Sequence, residues 1–398
     1  MVGGLTVALL PLVSSASTPK VSDSTFNTSF STMKYLKSVV KKGHGSIAAI
    51  LPDTKSSARY TEFDAPYLIK AFKAAGLTKK QYIVQNAQGS DATQFAMAQA
   101  DIAKGAKVLL VDPLDSVTGA SIEAYAKGRG VKVIDYDRLT LGGQRTYYVS
   151  FDNVKVGGLI GSGEVSCLTD WNVPSPQVLY ISYGSPTDNN ATLFAQGYNK
   201  VLSAAGFNTS ATTLSGSKQS VLESAGTWDG PTALTDFQGA YTAHPSINAV
   251  LTPNDNNASG IIAYLQSKGL KPKTIPFTGQ DASLIGFENV ISGYQCGTVY
   301  KPIWLEAQAA AALAVYLRAG VKPPTGLVNG STPDTLEGHG VPSVLLTATW
   351  VTADKVEATV VKDKVIVPSQ LCTNTAPTVP GDPSIPTYAA DCTTFGIH

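Results

Sequence analysis

From Ser46 onward the chain keeps a rhythm that few folds can accommodate: a short apolar run, a turn, a stretch of helical spacing, then another short apolar run. Runs at 46–51, 82–84, 107–111 and 131–136 have strand length and no room for an intervening hairpin. Between them, Leu68, Phe72 and Ala75 recur on one helical face before Gly76, and Phe95, Ala98 and Ile102 do so before Gly105. Ser116 can cap the helix that follows the third run. Strands alternating with single helices at this length argue for a parallel sheet covered by helices on both faces. The rhythm restarts after Phe151, with strands at 177–181, 247–251, 274–277 and 298–300 and helices at 190–202, after Trp228 and at 258–266. An Ala-rich helix runs from Pro302 to about Arg318, and late apolar segments fall at 343–346 and 364–367. The fold class expected is α/β: two doubly wound, Rossmann-like lobes in one chain, with the chain crossing between them more than once. Lobe 1 is assigned 46–150 plus 302–342 and lobe 2 is assigned 151–301 plus 343–368.

The ends differ from this pattern. Residues 1–17 hold an apolar run from Leu5 to Val13 followed by small residues, a signal-like segment, although no Lys or Arg precedes it. Export to the periplasm or the outer face of the cell membrane is expected from it. Residues 18–45 are read as a linker and an N-terminal helix, with Phe30, Met33, Leu36 and Val40 at helical spacing. The tail, 369–398, is rich in Pro, Thr and Asp and poor in core-forming residues. It holds two of the four cysteines, and a Cys372–Cys392 disulfide is expected to staple it in an oxidising compartment. Pairing of Cys167 and Cys296 is left open.

Charge narrows the function classes. Lys and Arg number 30 against 29 Asp and Glu, a net charge of +1, which gives no reason to expect nucleic acid as a partner. There is no GxSxG elbow and no GxxxxGK[ST] loop, and the glycines of Gly157-Gly158-Leu159-Ile160-Gly161-Ser162-Gly163 do not keep GxGxxG spacing. Those glycines suit close helix packing. No histidine stands near a nucleophile or a carboxylate pair. Neither catalysis nor a cofactor or metal is expected.

Polar groups instead gather where strands end. Asp53 and Arg59 follow the first strand, Asp112 ends the third, and Asp137 and Arg138 end the fourth. In the second half Asn254 and Asp255, Gln280 and Asp281, and Lys301 hold the same position. Open α/β sheets bind ligands at the carboxyl ends of their strands. A sugar suits such a set, because each hydroxyl both donates and accepts and an unpaired buried hydroxyl is costly. Its C–H face suits an aromatic wall, for which Trp228 is the first candidate and Tyr60 the second.

At these residues the sequence resembles the ribose/xylose-binding family of periplasmic sugar-binding proteins. The resemblance is carried by Leu51-Pro-Asp-Thr-Lys-Ser-Ser-Ala-Arg59-Tyr60, Tyr136-Asp137-Arg138, Tyr148-Val-Ser-Phe-Asp-Asn-Val-Lys-Val-Gly157, Gly184-Ser-Pro-Thr-Asp-Asn-Asn-Ala191, Pro253-Asn254-Asp255, Gly279-Gln280-Asp281-Ala282 and Thr298-Val-Tyr-Lys301-Pro302. The fourth and last are most specific to the xylose branch. The resemblance spans about Ser46 to Val365 and implies a type I periplasmic binding protein with a three-strand hinge, crossing near Ser150, Lys301 and Gly340. It implies ligand contacts from Arg59, Asp137 and Arg138 in one lobe, from Asn190, Trp228, Asn254 and Asp281 in the other, and from Lys301 at a crossing. It also implies a monomeric receptor that binds a monosaccharide, D-xylose first and glucose, ribose or arabinose as alternatives, and delivers it to an ABC transporter permease. The fold also serves sugar-responsive repressors, but the stretch from Thr18 to Gly45 is too short for a helix-turn-helix and lacks a basic recognition helix. A sugar-processing enzyme is the remaining alternative.

Overall fold

A computed structural model describes residues 21–209, 219–373 and 388–398. The signal-like segment lies outside the described residues, as does the middle of the tail. A short α1 (Lys37–Val40) follows a 3-10 turn. Then come β1 (Ser46–Leu51), α2 (Ala65–Ala75), β2 (Tyr82–Asn86), α3 (Asp91–Ala103), β3 (Ala106–Val111), α4 (Ser116–Lys127), β4 (Lys132–Tyr136) and β5 (Tyr147–Phe151). The second half holds α5 (Asn153–Asp170), β6 (Gln177–Ile181), α6 (Asn189–Ala204), β7 (Gln219–Glu223), α7 (Gly230–Ala243), β8 (Ala249–Leu251), α8 (Asp255–Ser267), α9 (Leu284–Ile291) and β9 (Thr298–Tyr300). The chain ends with α10 (Ile303–Arg318), β10 (Gly330–Asp334), β11 (His339–Leu346), β12 (Thr349–Val351), α11 (Pro368–Thr373) and α12 (Tyr388–Thr394).

The first sheet has the spatial order β10-β11-β5-β4-β3-β1-β2. Its β1, β3, β4 and β5 are buried along nearly their whole length, as strands covered on both faces must be. In the second sheet β6 lies between β7 and β8, and single bridges at Phe277 and Gln280 extend it toward β9 and β12. The strand expected at 274–277 is therefore reduced to one bridge, because Pro276 has no N–H to give to a ladder. In each sheet the first strand has neighbours that lie on opposite sides and are reached in succession. This puts a topological switch point at the carboxyl ends of β1 and β3 in one sheet and of β6 and β8 in the other. The glycines of α5 do pack closely: a Cβ at Gly157 would lie 2.0 Å from the Phe194 carbonyl oxygen on α6.

The structure corrects two boundaries. Ser343–Leu346 pairs in parallel with β5, from Ser343 against Tyr148 to Leu346 against Phe151, so it belongs to the first sheet and not the second. The third crossing therefore falls at residues 347–348, not near Gly340, and β12 then joins β9. Pairing with β10 decides this, since a short apolar run fits either sheet and only its hairpin partner fixes which. The expected linker is also packed from residue 21 on. Val21, Phe26 and Phe30 join the main core, because the polar residues between them close a 3-10 turn on themselves. In the tail, Cys372 and Cys392 are bonded, and Tyr388 and Ile397 belong to one buried apolar cluster with Phe287 and Val360. A second disulfide joins Cys167 on α5 to Cys296 before β9.

Candidate ligand-binding cleft

The loop after β1 is folded by Asp53, whose carboxylate accepts from the backbone N–H groups of Lys55 and Ser56, both at 2.7 Å. Asp53 thus shapes the loop, while Ser56, Ser57 and Arg59 face the cleft. At the end of β4, Asp137 stands on left-handed backbone (φ 60°), which turns its carboxylate into the cleft beside Arg138. From the other lobe, Asp188 caps α6 by accepting from the Asn190 N–H at 2.9 Å, and Asn254 caps α8 by accepting from the Asn257 N–H at 2.9 Å. Both helix starts therefore point polar side chains at the first lobe. Lys301 follows β9 at the second crossing.

Arg59, Asp137, Arg138, Asn190, Trp228, Asn254, Asp281 and Lys301 all line one narrow cleft of about 30 Å³. Of the strand-end groups, Asp53, Asp112 and Asp255 stand behind its wall, whereas Gln280 lines it. The lobes also touch directly across it. Ser57 Oγ donates to Asp281 Oδ2 at 2.7 Å, Asn190 Nδ2 donates to the Asp137 carbonyl at 3.0 Å, and Arg138 Nε lies 3.1 Å from Asp188 Oδ2.

Arg59 is 2% exposed and is held mainly by protein. Its Nε and Nη2 donate to the two oxygens of Asp64 at 2.8 Å, Nη1 donates to Asp137 at 2.6 Å, and Nη2 also donates to Glu306 at 2.7 Å. Four of its five N–H groups are thereby engaged, which leaves one for a ligand. Burial alone would raise the Asp137 carboxyl, but Arg59, Lys301 and Arg138 outweigh it and hold the pKa at about 2. Burial pushes Glu306 up to about 8 against the pull of Arg59. Lys301 Nζ lies between the lobes' carboxylates, 3.7 Å from Asp137 and 3.4 Å from Asp281. Among the lining residues, Arg59, Arg138 and Lys301 face Asp137, Asp188 and Asp281, three cations against three carboxylates.

Trp228 is half-buried, not an exposed loop residue. Its Nε1 donates to Asp188 at 3.0 Å and its ring meets Phe194 edge to face at 6.4 Å. Gly184 makes room for it, since a Cβ there would lie 2.3 Å from the indole. Tyr60 is 3% exposed, and its hydroxyl lies 3.0 Å from Arg138 Nη2 and 3.3 Å from Asp137. Sequence reasoning missed Asp188, Phe194, Ser56 and Ser57 in the wall, and Asp64 and Glu306 behind it. Asp188 carried a signal, as the Asp before an Asn-Asn-Ala helix start, but that signal is shared by any N-cap. Among the described residues no helix is long and apolar enough to cross a membrane, and no cluster of three or more His, Cys, Asp or Glu could hold a metal.

Two doubly wound lobes, three crossings and facing switch points define a type I periplasmic binding protein. A family model for the periplasmic binding protein domain matches residues 47–322, and the chain belongs to that family. It is 35% identical over 297 residues to the D-xylose-binding periplasmic protein of Escherichia coli K12, covering 73% of this chain and 83% of that protein. It is 36% identical over 258 residues to the multiple sugar-binding periplasmic protein SbpA of Azospirillum brasilense, covering 62% and 70%. Among solved structures, an ABC transporter solute-binding protein from Clostridium phytofermentans with bound β-D-glucose superposes with a TM-score of 0.71 at 25% identity, over 82% of this chain and 99% of that one. A carbohydrate transporter solute-binding protein from Chloroflexus aurantiacus in complex with D-glucose gives 0.68 at 29% identity, over 81% and 97%.

Proposed function

We propose that the chain is the exported, monomeric receptor of an ABC-type importer, which holds one neutral monosaccharide between its lobes and presents it to a permease. The carrying observation is the balance of the cavity wall: three cations against three carboxylates, each already paired with protein. A sugar acid or sugar phosphate would bring a charge with no free partner, which is costly to bury. Hydroxyls need only the remaining donors and acceptors of Asn190, Asn254, Asp137, Asp281 and the one free N–H of Arg59. Trp228 and Phe194 offer apolar surface for the C–H face of the ring. D-xylose is the first choice, supported by the likeness to the D-xylose-binding protein of Escherichia coli. D-glucose is the second reading, favoured by the sugar held in two solved relatives.

A thermal-shift panel of aldopentoses, aldohexoses and the matching uronic acids, with a product assay run alongside, tests this reading. Neutral aldoses should raise the melting temperature and uronic acids should not, with every sugar recovered unchanged. A shift from uronic acids alone, or turnover of any sugar, would overturn it.

A further inference from the structure

Behind the cleft wall the second lobe carries a buried carboxylate that does not line the cleft. Asp255 follows Asn254 at the start of α8 and is 1% exposed. Its Oδ1 accepts from Gln295 Nε2 and from Thr298 Oγ1, each at 2.8 Å. Its Oδ2 accepts from the Ser283 backbone N–H at 2.9 Å and from Ser283 Oγ at 3.1 Å. One side chain therefore joins the three segments that carry Asn254, Asp281 and Lys301: the start of α8, the turn at 279–283, and β9. Two glycines leave it space. A Cβ on Gly279 would lie 2.1 Å from Oδ1, and one on Gly286 would lie 2.2 Å from Oδ2.

The turn it holds is strained. Asp281 has φ 87° and Ala282 has φ 56°, two successive non-glycine residues on left-handed backbone. L-residues avoid that region because Cβ crowds the neighbouring carbonyl. Such a turn persists only where its surroundings over-determine it. If it relaxed, the Asp281 carboxylate would move away from Ser57 and Lys301, the partners it meets across the cleft.

We propose that Asp255 is a positioning residue of the cleft: by accepting the Ser283 N–H it holds the Asp281–Ala282 turn left-handed and so places Asp281 for ligand and for its contacts across the cleft. The proposal rests on the monosaccharide reading for its effect on affinity. Burial pushes the Asp255 carboxyl up to about 6, while the hydrogen bonds from Gln295, Ser283 and Thr298 pull it down.

The test compares Asp255→Asn with and without Ala282→Gly. Asparagine keeps the size of the side chain but leaves one neutral acceptor oxygen where two carboxylate oxygens served two N–H donors, Gln295 Nε2 on one side and the Ser283 amide on the other. Glycine accepts left-handed backbone freely, so with A282G the turn needs less holding. D255N alone should weaken D-xylose affinity roughly tenfold, the scale of one left-handed residue losing its support. D255N/A282G should stay within about threefold of A282G. In the ligand-free protein, hydrogen exchange of the Ser283 amide should speed up in D255N by roughly tenfold or more, and much less when A282G is also present. Equal weakening with and without A282G, or unchanged Ser283 protection in D255N, overturns the proposal. If D255N does not fold, recovery of the fold by A282G supports it and failure to recover counts against it. If the wild type binds no sugar, the monosaccharide reading fails by itself, and Ser283 exchange still decides whether Asp255 holds the turn.

Discussion

Lys301 is the cation shared by both lobes, and Lys301→Met isolates what that sharing contributes to binding. Methionine keeps most of the side-chain volume and removes the charge. Asp137 still has Arg59 at 2.6 Å, so the first lobe keeps its paired core. Asp281 is left with the Ser57 hydroxyl and, among the described residues, no cation within ion-pair distance. A buried carboxylate is then left without a cation. Removing one partner of a buried charged pair costs about 2–5 kcal/mol. The lower part of that range applies, because the Lys301 contacts are 3.4 and 3.7 Å and Asp281 keeps one donor. A loss of about 2–3 kcal/mol is a roughly 30- to 150-fold weaker Kd. Calorimetric titration of D-xylose into both proteins at pH 7 measures it, with thermal melts of the ligand-free proteins as the fold control. A Kd within threefold of wild type would refute the assignment of Lys301 as the link between the two carboxylates.

Arg59→Met should behave differently, leaving Asp64, Asp137 and Glu306 buried without their shared cation and lowering stability by about 3–5 kcal/mol in urea denaturation; a loss under 1 kcal/mol contradicts the hub. Asp188→Asn weakens the common acceptor of Arg138 and Trp228, so affinity should fall about tenfold or more and the tryptophan emission should shift. Unaltered emission and affinity together count against that role. Glu164 is fully buried, its carboxyl oxygens find no hydrogen-bond partner among the described residues, and burial pushes its pKa up to about 8. A carboxyl with a raised folded pKa favours the protonated form, so wild-type stability is lost as pH rises from about 4.5 toward 8. Glu164→Gln removes that dependence, and its advantage over wild type should be about 2–3 kcal/mol larger at pH 9 than at pH 6. Denaturation curves with the same difference at both pH values argue against it.

The architecture was legible because a parallel sheet leaves a coarse mark: apolar runs of strand length at regular spacing, each followed by helical spacing. The cleft was legible because strand ends of such sheets converge, so that Arg59, Asp137, Asn254 and Asp281 could be picked out one by one. What stayed hidden depends on pairing across the fold. Ser343 to Leu346 fits either sheet until β10 claims it. Asp112 and Asp255 have the same local setting as their lining neighbours, and only the direction of one side chain separates wall from support. Glu306 lies in an Ala-rich helix 247 residues from the Arg59 it meets, beyond any local signal. Val21 and Phe26 look like linker because each apolar residue stands alone among polar ones.

A calorimetric titration of the wild-type protein with D-xylose tests the central claim most directly. One saturable site per chain with micromolar or tighter affinity is the predicted result. Tight binding of D-glucose with none of D-xylose would change only the choice of sugar. No saturable heat from any aldopentose or aldohexose would contradict a monosaccharide site between the lobes.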